Sequence, residues 1–253
     1  VRTQRRFVPA ACASLLWACT AGDPEPDGEP APLTAEEQTA AWAAPGPNPV
    51  GYRTWTITWS PPELDEPRDL RLAVWYPASE SDGDEPEYLR DGTLPPVWVD
   101  APAAPAARPL AVYSHGHQAF AEASSFLSQH LASHGWVVVA PDHTGNTVFD
   151  GPGRVNDIYF LRPRDLSAIL DNFGRLPSTD PLSGVDVTHT AAFGHSFGGY
   201  TTFAIAGAAY DMPSLEAGCE TDPGDPFCQG FDADRALLFS SGFRDHRVTA
   251  SVA

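Results

Sequence analysis

The sequence contains no lysine, so all 15 of its basic residues are arginine. It also has a single methionine, only four cysteines, and no apolar run that reaches the ~18 residues needed to cross a bilayer as a helix. Against the 15 cations stand 33 carboxylates, for a formal net charge of −18. So few and so outnumbered, the cations exclude a protein built to grip nucleic acid, where affinity comes from neutralising phosphates. The acidic surplus reads as a soluble surface with acidic loops rather than as a binding function. Missing lysine, set beside abundant Ala, Pro and Gly, reads as compositional bias and not as mechanism. The cysteines are too few for a structural metal cluster. Cys12 and Cys19 belong to the N-terminal leader, and no neighbouring histidine or further cysteine completes four ligands around Cys219 and Cys228. In an exported chain those two, separated by turn-forming residues, are expected to form a local disulfide.

What is present suits one large domain with an attachment: 253 residues, 42% of them hydrophobic. Arg2, Arg5 and Arg6 precede a short apolar stretch, Phe7 to Ala18, which is the pattern of an export signal. Leu16-Trp17-Ala18-Cys19 resembles a bacterial lipoprotein box, although Trp17 stands where such boxes prefer a smaller side chain. Residues 1–19 are therefore expected to be a signal peptide with Cys19 as a lipidation site, ordinary secretion or a cytoplasmic chain being the alternatives. Residues 20–50, rich in Pro, Ala and acid, cannot bury enough apolar area to order themselves and are expected to form a linker, with at most a marginal helix at Ala35 to Ala43. The folded domain is expected over 51–253.

Within it the pattern begins with period two. Tyr52 to Trp59 alternates Trp55, Ile57 and Trp59 with polar residues, and Leu70 to Tyr76 follows as a second strand, together an opening antiparallel hairpin. Residues 78–109 show no period and read as a surface excursion. Strands and helices then alternate. A strand at Leu110 to Ser114 precedes a helix from Glu122 to Ser133, with Phe126, Leu127, His130 and Leu131 on one face. A fully apolar strand runs from Trp136 to Ala140, and Pro163 opens a helix at its first turn, with Leu166, Ile169, Leu170 and Phe173 as its stripe. Thr188 to Phe193 is a strand and Phe197 to Ala209 a helix. The expected fold class is α/β, with a mainly parallel sheet and helices on both faces. Arg247 to Ala253 reads as a buried strand that stops partway, so the chain is expected to be cut in a late strand.

Between the last strand–helix pair lies Gly194-His195-Ser196-Phe197-Gly198, a G-x-S-x-G pattern. Alone it is a weak signal; between a strand and a helix it describes a nucleophile elbow that thrusts a serine hydroxyl above a sheet. Glycines two places either side are needed because a side chain there would strike the neighbouring strand and helix. A serine nucleophile also needs two N–H donors for an oxyanion. Phe197, next after the serine, supplies one. Ser114-His115-Gly116-His117, at the end of the earlier strand, stands where the other belongs, and Gly116 leaves the N–H of His117 as that donor.

On these residues the chain resembles the α/β-hydrolases of the platelet-activating-factor acetylhydrolase and dienelactone-hydrolase-like group. The matching pieces are Leu72 to Pro77, Tyr113 to Gly116, Leu131 to Val139 and Gly194 to Gly199. Leu161-Arg162-Pro163-Arg164-Asp165-Leu166 is typical of bacterial members. The resemblance implies an α/β-hydrolase fold and hydrolysis of a small or short-acyl ester through an acyl-enzyme on Ser196. It implies no cofactor and no protein partner, and contact with a membrane only through a lipid on Cys19. It also implies a catalytic Asp and then a His after the serine. Only His246 follows Ser196, beside Asp245, and adjacent residues in one turn cannot both face the serine in series. Acid and base are therefore expected beyond Ala253, with Asp232, Asp234 and Asp245 read as loop carboxylates. His115, His117 and His143 cluster at strand ends, but no carboxylate–histidine spacing supports a metal there. His130 and His134 share a helical face in a structural role, Asp142 and His143 could line a pocket, and Tyr200 packs beneath the elbow. A thioesterase, lactonase, acyltransferase or peptidase on the same fold, or a non-catalytic surface lipoprotein, are the alternative readings.

Overall fold

The computed structural model describes residues 34–88, 96–105, 107–151, 157–225, 227–229 and 231–253. The signal peptide, the lipoprotein box at Cys19 and the first part of the linker lie outside these residues. Helix α1 (Ala35–Ala43) forms where a marginal helix was expected, and none of its residues is buried. Its start is a capping box: Glu37 N–H donates to the Thr34 hydroxyl oxygen, and Thr34 N–H donates back to the Glu37 carboxylate at 2.8 Å.

Trp42–Ala253 forms one compact unit. Its sheet has seven strands among the described residues: β1 (Val50–Trp59), β2 (Arg68–Pro77), β3 (Val97–Val99), β4 (Arg108–Ser114), β5 (Val137–Pro141), β6 (Val185–Gly194) and β7 (Val248–Val252), in the order β3-β1-β2-β5-β4-β6-β7. Only β2 runs against its neighbours; the β1–β2 hairpin is antiparallel, and β5, β4, β6 and β7 are parallel. The α/β-hydrolase fold expected from the sequence is the fold observed.

Alternation along each strand splits the core in two. Leu70, Leu72, Val74, Leu110, Val112, Val137 and Val139 face one side, where α3 (Ile158–Phe173) packs Leu166, Ile169, Leu170 and Phe173 and α4 (Phe197–Ala206) adds Ile205. Ala73, Trp75, Ala111, Tyr113, Val138 and Ala140 face the other, against Ala132 of α2 (Ser125–Ser133). Chain order then fixes the site. From β4 the chain crosses to β5 through α2 on one face, and from β5 it returns past β4 to β6 through α3 on the other. The carboxyl ends of β4, β5 and β6 open at that switch point, where ligands of open α/β sheets bind.

Several expectations are corrected. The excursion at 78–109 contains β3, three residues paired parallel to the edge of β1. The helix expected from Glu122 is a 3-10 turn (Ala121–Ser124) followed by α2, and its buried face is not the large apolar one. Phe126 and Leu127 are exposed, whereas Ser128, Gln129, Ala132 and Ser133 are buried. Ser133 accounts for part of this, since its hydroxyl accepts from Gly46 N–H at 2.8 Å and its carbonyl accepts from Asn48. Pro163 lies inside α3 rather than at its first turn. The missing proline N–H leaves the Tyr159 carbonyl without its helical donor, and the Tyr200 hydroxyl of α4 replaces it at 2.6 Å. Helix α4 ends three residues earlier than expected, at Gly207, whose φ of 102° suits glycine. Cys219, placed in a loop by the sequence, belongs to α5 (Met212–Thr221), and α6 (Ala233–Ser241) follows. The Cys219–Cys228 disulfide forms as expected. In β7 only Val248 is buried; the next four residues are exposed.

Candidate functional site

Ser196 stands between the end of β6 and the start of α4 with φ 56° and ψ −117°, a conformation that a residue with a side chain rarely adopts. It precedes the helix, yet its side chain does not cap it, and the residue is solvent-exposed. The glycines around it are required by contact. A Cβ on Gly198 would lie 1.8 Å from the Ser114 carbonyl oxygen, and one on Gly194 would lie 2.3 Å from the Gly198 carbonyl oxygen. The elbow is thus wedged against the end of β4, and His195 N–H donates to that same Ser114 carbonyl at 3.3 Å. Phe197 opens α4, so its N–H has no acceptor within the helix.

The loop after β4 meets the elbow directly. A Cβ on Gly116 would come within 3.6 Å of the Ser196 Cβ, so the His115-Gly116-His117 backbone runs beside the serine. The His117 ring lies 6.2 Å from the Phe197 ring, centroid to centroid. The structure therefore brings Ser196, Phe197 and His117 together.

Beneath this loop lies a polar network that sequence reasoning missed. Asp165, His143, Ser114 and Arg162 have no exposed surface. Asp165 is held by Arg68 at 2.9 and 3.0 Å and by the Trp59 indole N–H at 3.1 Å. The His143 Nδ1 lies 2.8 Å from Asp165, and its Nε2 lies 3.0 Å from the Ser114 hydroxyl. Asp165 fixes the direction of the protons: both of its oxygens already accept from Arg68, so His143 Nδ1–H donates to it, and the neutral ring leaves Nε2 to accept from the Ser114 hydroxyl. Arg162, which only donates, gives an N–H to Ser114 Oγ at 2.9 Å. Arg162 also donates to the His115 carbonyl and, at 3.0 Å, to Asn146 Oδ1. Asn146 in turn donates to His117 Nδ1 at 2.8 Å.

Ser114-His143-Asp165 has the connectivity of a catalytic triad but not its access. The serine oxygen is sealed and already takes a proton from Arg162. Burial drives the His143 pKa well below its ordinary value, with Arg162 and Arg68 adding repulsion. Burial likewise pushes His115 down to about 2, with His143 and Arg162 contributing. Both rings are neutral at ordinary pH, and neither lines an open surface. Asp142, by contrast, lines an open cleft with Tyr52, Phe120 and Phe149, where Arg71 holds one of its oxygens at 2.9 Å and Ala121 N–H the other at 2.8 Å.

Four other imidazoles are occupied elsewhere. His130 and His134 bond the carbonyls of Trp42 and Ala44, the structural role expected. His189 bonds Asp186, and His246 accepts from Arg244. Asp245 is held by Arg247, while Asp232 caps α6. Among the described residues no group of three or more His, Cys, Asp or Glu is placed to hold a metal ion.

Comparison with known proteins places the chain among ester hydrolases of this fold. Residues 88–225, just over half of the chain, match the chlorophyllase family model. Over 110 residues the chain is 32% identical to cutinase est1 and cutinase est2 of Thermobifida alba, which covers 44% of this chain and 33% of each of those. It is equally similar to cutinase 2 of Thermobifida cellulosilytica, 37% of which is covered. The matched region thus spans about a third of the length of these curated relatives. The solved ferulic acid esterase of Streptomyces cinnamoneus superposes with a TM-score of 0.50 at 25% identity, over 63% of this chain and 56% of that one. The chain belongs to the chlorophyllase family, built on the α/β-hydrolase fold.

Proposed function

We propose that the protein is a serine carboxylic-ester hydrolase that works through an acyl-enzyme. Ser196 is the nucleophile, and the N–H groups of Phe197 and His117 receive the oxyanion. The observation that carries this reading is the exposed Ser196 at φ 56°, wedged by Gly194 and Gly198 against β4 and flanked by Gly116. The names of the similar proteins, cutinases and a ferulic acid esterase, support ester chemistry. The substrate is a small or short-acyl ester, as in the platelet-activating-factor acetylhydrolase-like group, and no cofactor takes part.

In this reading attack on the ester carbonyl transfers the serine proton to an imidazole, and the two N–H groups stabilise the charge that builds on the carbonyl oxygen. Losing one such donor costs about 3 kcal/mol of transition-state stabilisation. We place the histidine and its carboxylate after Ala253. None of the imidazoles bonds Ser196 among the described residues, and His195, which precedes it in the chain, packs against Gly116. Export, with the lipid on Cys19, belongs to the same reading and is supported by the disulfide.

The test is covalent labelling of the full-length protein with a fluorophosphonate. A single adduct on Ser196, lost in Ser196→Ala, is expected. A folded sample that takes up no label at Ser196 refutes the assignment.

A further inference from the structure

The buried network singles out one side chain. Arg162 reaches both halves of the oxyanion site from beneath. It donates to the His115 carbonyl, which orients the peptide leading into Gly116 and His117. Through Asn146 it holds the His117 ring, and its guanidinium carbon lies 5.0 Å from the Phe197 ring centroid. We propose that Arg162 is a positioning residue that sets the separation of the Phe197 and His117 N–H groups across Ser196. The proposal rests on the reading of Ser196 as nucleophile.

Stability alone does not account for the arrangement. A buried guanidinium is costly to desolvate, and the Arg162 Nε has no partner among the described residues. The hydrogen bonds of Asp165 do not involve Arg162; Arg68, Trp59 and His143 supply them. Replacing Arg162 by an apolar side chain of similar length also strips a donor from Ser114, His115 and Asn146, and each buried acceptor left unpaired costs the fold stability. What the replacement removes here is the fixed placement of the His115 carbonyl and of Asn146. Donors that miss the oxyanion by about an ångström cost on the order of a hundredfold in rate.

Arg162→Met, Arg162→Lys and Asn146→Ala, made in the full-length protein, test this with para-nitrophenyl acetate as substrate. The expected result is a kcat lower by about 10- to 100-fold in Arg162→Met with KM within about twofold, because the donors act on the transition state. Arg162→Lys, which keeps the charge and can reach one acceptor, falls between that variant and the wild type. Asn146→Ala, which cuts only the link to His117, loses less but in the same parameter. Thermal melts establish that each variant is folded, and Asn146→Ala carries the test if Arg162→Met does not fold. Folded variants with wild-type kcat, or a loss confined to KM, overturn the proposal. Fluorophosphonate labelling of the wild type separates the two readings: an unlabelled Ser196 sinks the nucleophile and this proposal with it. A labelled wild type with indifferent variants sinks only the positioning role.

Discussion

Pro163 and Tyr200 offer a test of how the elbow helix is tied to the rest of the fold. Pro163 cannot donate to the Tyr159 carbonyl four residues earlier, and the Tyr200 hydroxyl does so instead at 2.6 Å while also meeting the Tyr210 hydroxyl at 2.8 Å. Tyr200→Phe keeps the ring, which lies 5.1 Å from Phe197, and removes only the oxygen. The Tyr159 carbonyl is then left without a donor, at a cost of about 1–2 kcal/mol. In a Pro163→Ala background the restored alanine N–H takes over that carbonyl, and the same Tyr200→Phe change should cost about 0.5 kcal/mol or less. The coupling between the two positions is therefore about 1 kcal/mol, worth a few degrees in Tm for a domain of this size. Urea titrations of the four proteins measure it. The comparison cancels the loss of proline's restraint on the unfolded chain, which is common to both alanine-bearing proteins. If Tyr200→Phe costs the same in both backgrounds to within about 0.3 kcal/mol, the hydroxyl does not substitute for the helical donor.

Two other perturbations follow from the same geometry. Gly198→Ala should destabilise the protein by about 3 kcal/mol or more, because its Cβ would lie 1.8 Å from the Ser114 carbonyl oxygen and 2.9 Å from that of His115. Gly218→Ala, on α5 with nothing within 4 Å, should stabilise by about 0.5–1 kcal/mol; chemical denaturation that ranks the pair otherwise contradicts the packing. Acid should weaken the fold early. The folded pKa of His115 and that of His143 are depressed, so the unfolded chain binds protons first as pH falls below about 6.5, and stability drops by up to about 1.4 kcal/mol per pH unit for each ring. Asp165, raised by its burial, acts in the opposite sense and blunts the loss. His143→Gln should flatten the slope of Tm against pH between 6.5 and the carboxylate range, and an unchanged slope refutes the assignment.

The elements legible in the sequence were those whose partners are themselves regular. Leu166, Ile169, Leu170 and Phe173 marked α3 because all four meet the strands of one core. The face of α2 was misread because size was taken for burial. Phe126 and Leu127 are exposed, while Ser133 is buried for the sake of Gly46 and Asn48, more than 80 residues away. Pro163 suggested a helix start because an interior proline leaves a carbonyl orphaned, and nothing local announces that Tyr200 will satisfy it. The elbow was legible for the opposite reason: its constraint is the backbone contact of Gly194 and Gly198, which the pentapeptide itself encodes. The buried network was not, since Ser114 comes from β4, His143 and Asn146 from the loop after β5, and Arg162 from α3. One signal for it was present, Arg162 and Asp165 three residues apart on the apolar face of α3, where two charges need partners.

These pieces converge on one peptide. The Ser114 carbonyl takes the His195 N–H and sets the limit on Gly198, while the next carbonyl, His115, takes Arg162. A shift at the Ser114-His115 peptide would therefore move the backbone at Ser196 and at His117 together. A structural network ending only at the core would not require that coupling. The Ser114-His143 bond holds the side chain of the same residue from behind, so the buried serine resembles a triad member in connectivity while acting as an anchor. Its side chain is bonded to His143 and Arg162 and its carbonyl to the elbow, at the place where Ser196 keeps a φ of 56°.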